Sequence, residues 1–474
     1  MKLDKPLLVL AIIVSFLFAL FLLYSHLDYF GDVSFLGGIL LLEIVVGCLW
    51  KYDQRFFPLL ICVFLLAGMN VPIQGAGTSG RWFVLGAGAV VGYVIWIKTP
   101  RRHFGAVHLI ALFCVSSALV SATVSQFLQM ATFKALSLLL LFLYASAGAR
   151  LAVIGREDRF FAGLLWGCEI AVYATMVCYF GLGVSIWGNP NSLGAAMSIG
   201  VFPIILWGWL TSEPGVARWR RLAVLLLCTY LVFFSLARAG MASAILVTFV
   251  FCFALRQYKL LLKAAGIVLF LIAVTGMVTP TVLSESYDNL KDAVLYKGHK
   301  EEGVLGSRRA PWEKSVAIIK EHPLFGTGYG TSPTGEDPGF IFGRFASSAE
   351  TSREHGSSYI TIAEWVGLLG VLPFLLLLGL TVLNVLRVCL WMRKTSNPYH
   401  YSVPLAMVLL AGLVHAGFED WLFAVGAYPC VYFWVFAFVL ADLVPASDKA
   451  LVSDILSHVS RPTVARVRAV APGR

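Results

Sequence analysis

Long apolar stretches separated by short polar, often basic, turns run along almost the whole chain. Runs of the length a bilayer needs, about 20 residues each, begin near Leu7, Gly31, Phe56, Trp82, Val107, Ala135, Phe160, Ser192, Leu222, Met241, Ala264, Tyr359, Val403 and Leu422. The pattern predicts an all-α polytopic membrane bundle of about 14 helices (range 12 to 14). The first run follows Lys2 and Lys5 without a small-residue cleavage site after it, so it reads as a retained helix. One segment breaks the rhythm. From Thr279 to Ser358 the chain has no span, and a loop of that length is usually functional.

The pattern divides the chain into helices over 1–278, a long loop over 279–358, three further helices over 359–440 and a tail over 441–474. Composition agrees with a lipid environment: 59% of the 474 residues are apolar and 13% are charged, against about 25% charged in soluble proteins. The cations set the orientation. With both termini in the cytoplasm, Lys51/Arg55, Lys98/Arg101/Arg102, Arg150/Arg156/Arg159, Arg218/Arg220/Arg221, Arg256/Lys259/Lys263 and Arg387/Arg393/Lys394 all fall inside. The outer turns keep Arg81, Lys134 and Arg238, so the net charge of +10 is mainly topological and does not indicate nucleic-acid binding. The long loop lies outside. All nine cysteines fall in or beside spans, which implies neither a disulfide framework nor a thiolate metal site.

Within the loop, Pro311 and the following WEKSVAIIKE predict a short helix, ended by Pro323 and the glycines of HPLFGTGYG. Arg308 and Arg309 stand just ahead of it, where two guanidiniums and a helix N-terminus can clamp an anion; a solvated basic turn is the plainer reading. Arg238, in SLARAGM, lies at an outer turn at membrane depth, which favours a cavity or a partner over snorkelling. His355 immediately precedes the helix beginning near Tyr359. With Ser357 or Ser358 as N-cap, the positive end of that helix favours neutral imidazole, suited to a general base, although a lone loop histidine is more often a bystander. In GNPNSLG, Asn189 and Asn191 read as helix caps, with a sugar or phosphate contact as the alternative. Glu43, Glu169, Glu364, His415 and the Glu419/Asp420 pair also lie at membrane depth and would suit a proton or cation pathway. The chain has no Walker glycine loop, zinc-ligand spacing or nucleophile elbow.

Taken in order, GNPNSLG, SLARAGM, SRRAPW with HPLFGTGYG, and EHGSSYITIAEWVGLLG resemble the O-antigen ligase and polymerase superfamily of membrane glycosyltransferases. The resemblance covers roughly Gly188 to Gly370. It implies a periplasmic active site in the bacterial inner membrane. The implied donor is a glycan on undecaprenyl pyrophosphate, and the acceptor is lipid A-core in a ligase or a growing glycan in a polymerase. Carried over by motif, His355 would be the general base, with Arg308 and Arg238 as catalytic arginines. Arg309, Trp312, Asn189 and Asn191 would be substrate-binding candidates. The implied reaction is inverting and needs no metal or cofactor. Where the family often has His-Asn, this chain has His355-Gly356. The reading weighed against it is a membrane transporter of solute or lipid-linked glycan.

Overall fold

The computed structural model describes residues 5–25, 33–99, 104–259, 261–262, 306–332 and 353–445. Among these residues the chain is helical and contains no strand. The helices are α1 Lys5–Ser25, α2 Val33–Leu49, α3 Tyr52–Gly68, α4 Gln74–Ile97 and α5 Ala106–Ala122. They continue with α6 Leu128–Val153, α7 Glu157–Gly181 and α8 Pro190–Leu210, then α9 Val216–Phe234 and α10 Arg238–Ala254. The last four are α11 Gly306–Glu321, α12 Ser358–Thr395, α13 Ser402–Ala416 and α14 Tyr428–Leu443. Five of them, α4, α6, α7, α8 and α12, are long and apolar enough to cross a membrane. The protein is an all-α polytopic membrane protein. The span expected near Ala264, most of the long loop and the tail beyond 445 lie outside the described residues.

Apart from the loop helix α11, the helices are predominantly apolar, as expected of elements that face lipid on one side and each other on the other. Leu109, Leu112 and Phe113 of α5 are exposed, while Val431 to Val439 of α14 are all buried. Helix α14 is therefore the centre of the bundle. Close approach depends on small residues: a Cβ on Gly88 or Gly148 would run into Tyr144 and the Tyr52–Phe56 pair. Three helices carry π-helical turns, at Ala145–Ala149 in α6, Val177–Gly181 in α7 and Ala196–Val201 in α8. Buried Arg150, at the end of α6, is held by both carboxylate oxygens of Asp442 and lies over the Trp96 ring at 4.1 Å.

Two sequence expectations shift. The loop helix α11 begins at Gly306, so Pro311 lies inside it and Arg308 and Arg309 occupy its opening turns instead of preceding it. Helix α14 begins at Tyr428, leaving 417–427 as a packed loop where an apolar run had been read from Leu422.

The long α12 is two helices joined at Gly367, whose φ of 67° and ψ of 179° interrupt the helix. The HPLFGTGYG segment fills the break. Thr327 and Gly328 donate their amides to the carbonyls of Glu364 and Trp365 (3.0 and 3.1 Å), and Leu368 and Leu369 donate to Pro323 and Leu324 (2.8 and 3.2 Å). Backbone groups freed within a membrane helix must find such partners. Only glycine fits: a Cβ at Gly367 would come within 2.4 Å of the Leu324 carbonyl oxygen. This joint fixes the loop segment that carries Ser332 against the first turns of α12.

Candidate functional site

The N-termini of α8, α10 and α12, the loop helix α11 and the loop 417–427 converge at one end of the bundle. His355 sits at the centre of this cluster. Its imidazole is fully buried, with Nδ1 3.1 Å from Asp420 Oδ2 and Nε2 2.8 Å from Ser332 Oγ and 3.3 Å from Glu364 Oε1. The same Asp420 oxygen accepts the His355 backbone N–H at 3.2 Å, and Ser332 donates to Glu364 at 2.8 Å. The second oxygen of Glu364 is paired with Arg353, which also donates to Ser315 of α11 at 2.6 Å.

Burial alone would push the imidazole pKa down. Hydrogen bonds and charge from Asp420 and Glu364 outweigh it and hold the pKa above the ordinary 6.5. The same contacts overcome burial at Asp420, whose pKa is depressed. The helix N-terminus was expected to keep His355 neutral. Two carboxylates overrule it, because a unit charge in hydrogen-bond contact exceeds the half-charge of a helix end. The expected serine cap also differs. Ser357 makes no side-chain cap bond, whereas Ser358 donates to the Glu419 carbonyl (2.6 Å) and accepts the Leu422 amide (3.0 Å), tying α12 to the 417–427 loop.

Arg308 lies beside this cluster, paired with Glu354 at 2.5 Å and with Glu419. Two of its five N–H groups are committed there, leaving the others for an anion. Glu419 also accepts the Asn191 amide at 3.3 Å, and burial, partly countered by Arg308, raises its pKa. Trp312, one turn along α11, donates to the Gly356 carbonyl at 3.2 Å. Arg309 is exposed and pairs with Glu313 on its own helix at 2.8 Å. Neighbours on a helix point about 100° apart, so α11 brings only the first of the two arginines inward. Asn189 caps α8, its side chain accepting the Ser192 amide at 2.8 Å.

The α9–α10 turn delivers Arg238. Leu236 is left-handed (φ 50°), and Ser235 Oγ accepts the Ala237 amide at 3.2 Å, which starts α10 at the arginine. Gly240 and Gly194 let α10 approach α8: a Cβ on Gly194 would sit 2.4 Å from that of Ala237. Arg238 thus stands at the same end of the bundle as Arg308, within range of its charge. The cluster therefore joins a carboxylate-held arginine, Arg308, to a carboxylate-held histidine, with Arg238 nearby.

Gly356 has a structural reason to lack a side chain. Its φ is 71°, and a Cβ there would meet Arg308 Cδ at 3.0 Å and Trp312 Nε1 at 3.4 Å. The backbone carbonyl serves Trp312 instead.

Residues 222–375 match the family model described as O-antigen ligase. The match supports the O-antigen ligase and polymerase superfamily that the four motifs resemble, and with it an O-antigen ligase-type function in general. It spans Arg238, Arg308, His355 and Glu364, whereas Asn191, His415, Glu419 and Asp420 lie beyond it. No curated protein matches the chain.

Sequence reasoning had not singled out Ser332, Arg353 or Glu354. It had placed Glu364, Glu419 and Asp420 only as scattered acids at membrane depth. The available signal was the helical break at Gly367, since EWVG preceding a glycine that interrupts an apolar run marks where backbone and a polar side chain turn toward another segment.

An apolar groove of about 560 Å³ runs between α3, α7, α8 and α14. It extends from Arg156 and Arg159 to Trp187 and Tyr428, and the Tyr428 hydroxyl donates to the Ser192 carbonyl (2.9 Å) next to Asn191.

Proposed function

We propose that the chain is a periplasm-facing glycosyltransferase of the bacterial inner membrane. It moves a glycan from undecaprenyl pyrophosphate to an acceptor hydroxyl by single displacement with inversion, and acts as an O-antigen ligase on lipid A-core. The observation that carries this reading is Arg308, held by Glu354 and Glu419, beside the His355–Asp420 pair at the end of the bundle where Arg238 starts α10. Arg308 keeps N–H groups beyond those it gives Glu354 and Glu419, and these can meet the charge that a pyrophosphate gathers as it leaves.

In the reaction, neutral His355 donates its Nδ1–H to Asp420 and presents Nε2 as the acceptor. Ser332 Oγ, 2.8 Å from Nε2, occupies the place an incoming hydroxyl would take. As the acceptor oxygen bonds to the anomeric carbon, its proton passes to Nε2 and the bond to the pyrophosphate oxygen breaks. The imidazolium so formed lies between the carboxylates of Asp420 and Glu364, which strengthens the base. Arg308 and Arg238 neutralise the departing pyrophosphate, Trp312 and Asn191 steady the residues around them, and the groove ending at Tyr428 suits the polyprenyl chain. A transporter would use Glu364 and Asp420 as a pathway, but here both are held on His355.

The test is transfer in liposomes containing the lipid-pyrophosphate-linked glycan and lipid A-core, with chelator present and no ion gradient. Product should form and should be lost in His355→Ala. Gradient-dependent solute uptake without transfer would replace this reading with a transporter. Extension of the lipid-linked chain without transfer to lipid A-core would make the protein a polymerase.

A further inference from the structure

His415 ends α13 with its side chain 2% exposed. Trp421 Nε1 donates to its Nδ1 at 3.0 Å. An indole nitrogen only donates, so Nδ1 is unprotonated and the neutral ring must carry its proton on Nε2. That Nε2–H is buried and has no hydrogen-bond partner among the described residues. Leaving a buried donor unpaired costs about 1–3 kcal/mol, and native structures seldom leave one so.

The surroundings indicate what it awaits. Trp421, the partner of His415, follows directly on Glu419 and Asp420, the carboxylates that hold Arg308 and His355. The Phe418 amide donates to the His415 carbonyl at 3.0 Å, and the turn this closes presents Glu419, which holds Arg308. A missing partner beside a guanidinium must be an acceptor, and an anion fits best. Gly412 lets α13 lie against Phe433 of α14, whose ring a Cβ there would meet at 2.6 Å, with the Trp421 ring alongside at 3.4 Å.

We propose that His415 is a third donor of the pyrophosphate site, giving its Nε2–H to a phosphate oxygen held by Arg308 and Arg238. The inference rests on the pyrophosphate reading above. It adds a neutral, tautomer-locked donor whose contribution does not depend on the ring being charged.

The test uses the full chain in detergent, with inorganic pyrophosphate as the probe and the lipid-linked glycan for kinetics. His415→Phe should weaken pyrophosphate binding and raise KM by about 10–100-fold, the loss of one hydrogen bond to a charged group. His415→Gln, which restores an N–H, should recover most of it. In the wild-type chain labelled with ¹⁵N-histidine, the Nε2–H signal of His415 should shift on adding pyrophosphate. The shift should vanish in Arg308→Ala, which should also lose binding. If Arg308→Ala loses binding but His415→Phe binds normally, the role of His415 is overturned and the site stands. If Arg308→Ala binds normally, the underlying reading fails. Should His415→Phe not fold, an unmoved Nε2–H signal in the wild-type chain overturns the proposal.

Discussion

Replacing Asp420 with asparagine removes a charge from His355 while keeping nearly the same shape. Asp420 Oδ2 accepts from both Nδ1 and the backbone N–H of His355, at 3.1 and 3.2 Å. Losing a charge-assisted hydrogen bond to the imidazolium that forms in the transition state should cost about 1.5–3 kcal/mol, or roughly 10–150-fold in rate. An asparagine that turns its NH₂ toward Nδ1 would also force the proton onto Nε2. The ring would then donate where it must accept, and a general base contributes about 10²–10⁴-fold. The expected fall in single-turnover transfer is therefore at least about tenfold. The pH profile should change too. In the wild-type chain the carboxylates hold His355 protonated to above 6.5, so activity should rise with pH through a value higher than an ordinary histidine's. Asp420→Asn removes one raising interaction and should move that limb to lower pH. An unchanged rate with an unmoved limb would show that His355 is not the base.

Arg238→Lys should lose most transfer activity, because an ammonium cannot reproduce bidentate contact with a phosphate; full activity would remove Arg238 from the site. Gly356→Ala should depress transfer and destabilise the chain by about 1–3 kcal/mol, since it combines a left-handed φ with a Cβ 3.0 Å from Arg308, and thermal unfolding beside kinetics would separate the two effects. Asp442→Ala takes the carboxylate from the buried Arg150 guanidinium and should lower stability by about 3–5 kcal/mol while leaving KM for the donor unchanged, because the pair ties α6 to α14 and touches none of Arg238, Arg308 and His355. His355 also predicts a pH trend in stability. A raised folded-state pKa stabilises fully below 6.5 and is lost as pH climbs through the folded value, whereas the depressed pKa of Asp420 stabilises above 3.8 and is lost as pH falls through its own folded value. The melting temperature in detergent should therefore fall on the alkaline side, and less so in Asp420→Asn.

The helices were legible because hydrophobic length is nearly the only condition a bilayer imposes, and thirteen of the expected runs coincide with described helices apart from the late start of α14. The motifs offered Arg238, Arg308 and His355 as candidates, and the structure brings Arg308 and His355 into one cluster through Glu354, Glu419 and Asp420. The supporting residues were not legible from the motifs. Asp420 lies 65 positions from His355, and no local period links the two. Pro311 suits a first turn so well that the sequence alone places GSRRA ahead of the helix, whereas α11 begins at Gly306. That shift decides between the arginines: ahead of a helix both can turn inward, within one only Arg308 does.

The break in α12 shows how a membrane bundle builds a polar site at all. An unbroken helix from Ser358 would satisfy its own backbone and leave Glu364 as an isolated buried acid, which lipid does not tolerate. Interrupting it at Gly367 frees carbonyls at Glu364 and Trp365 that only another segment can satisfy, and the HPLFGTGYG loop supplies the amides. Four residues beyond Gly328 in that loop, Ser332 meets Glu364 and His355 together. The glycines of the loop and the glycine of the helix thus belong to one device. A Cβ at Gly326 would strike the Glu364 and Trp365 carbonyls as surely as one at Gly367 would strike Leu324. Alanine at either position should therefore displace Ser332 and Glu364 from His355, lowering transfer without touching Arg238.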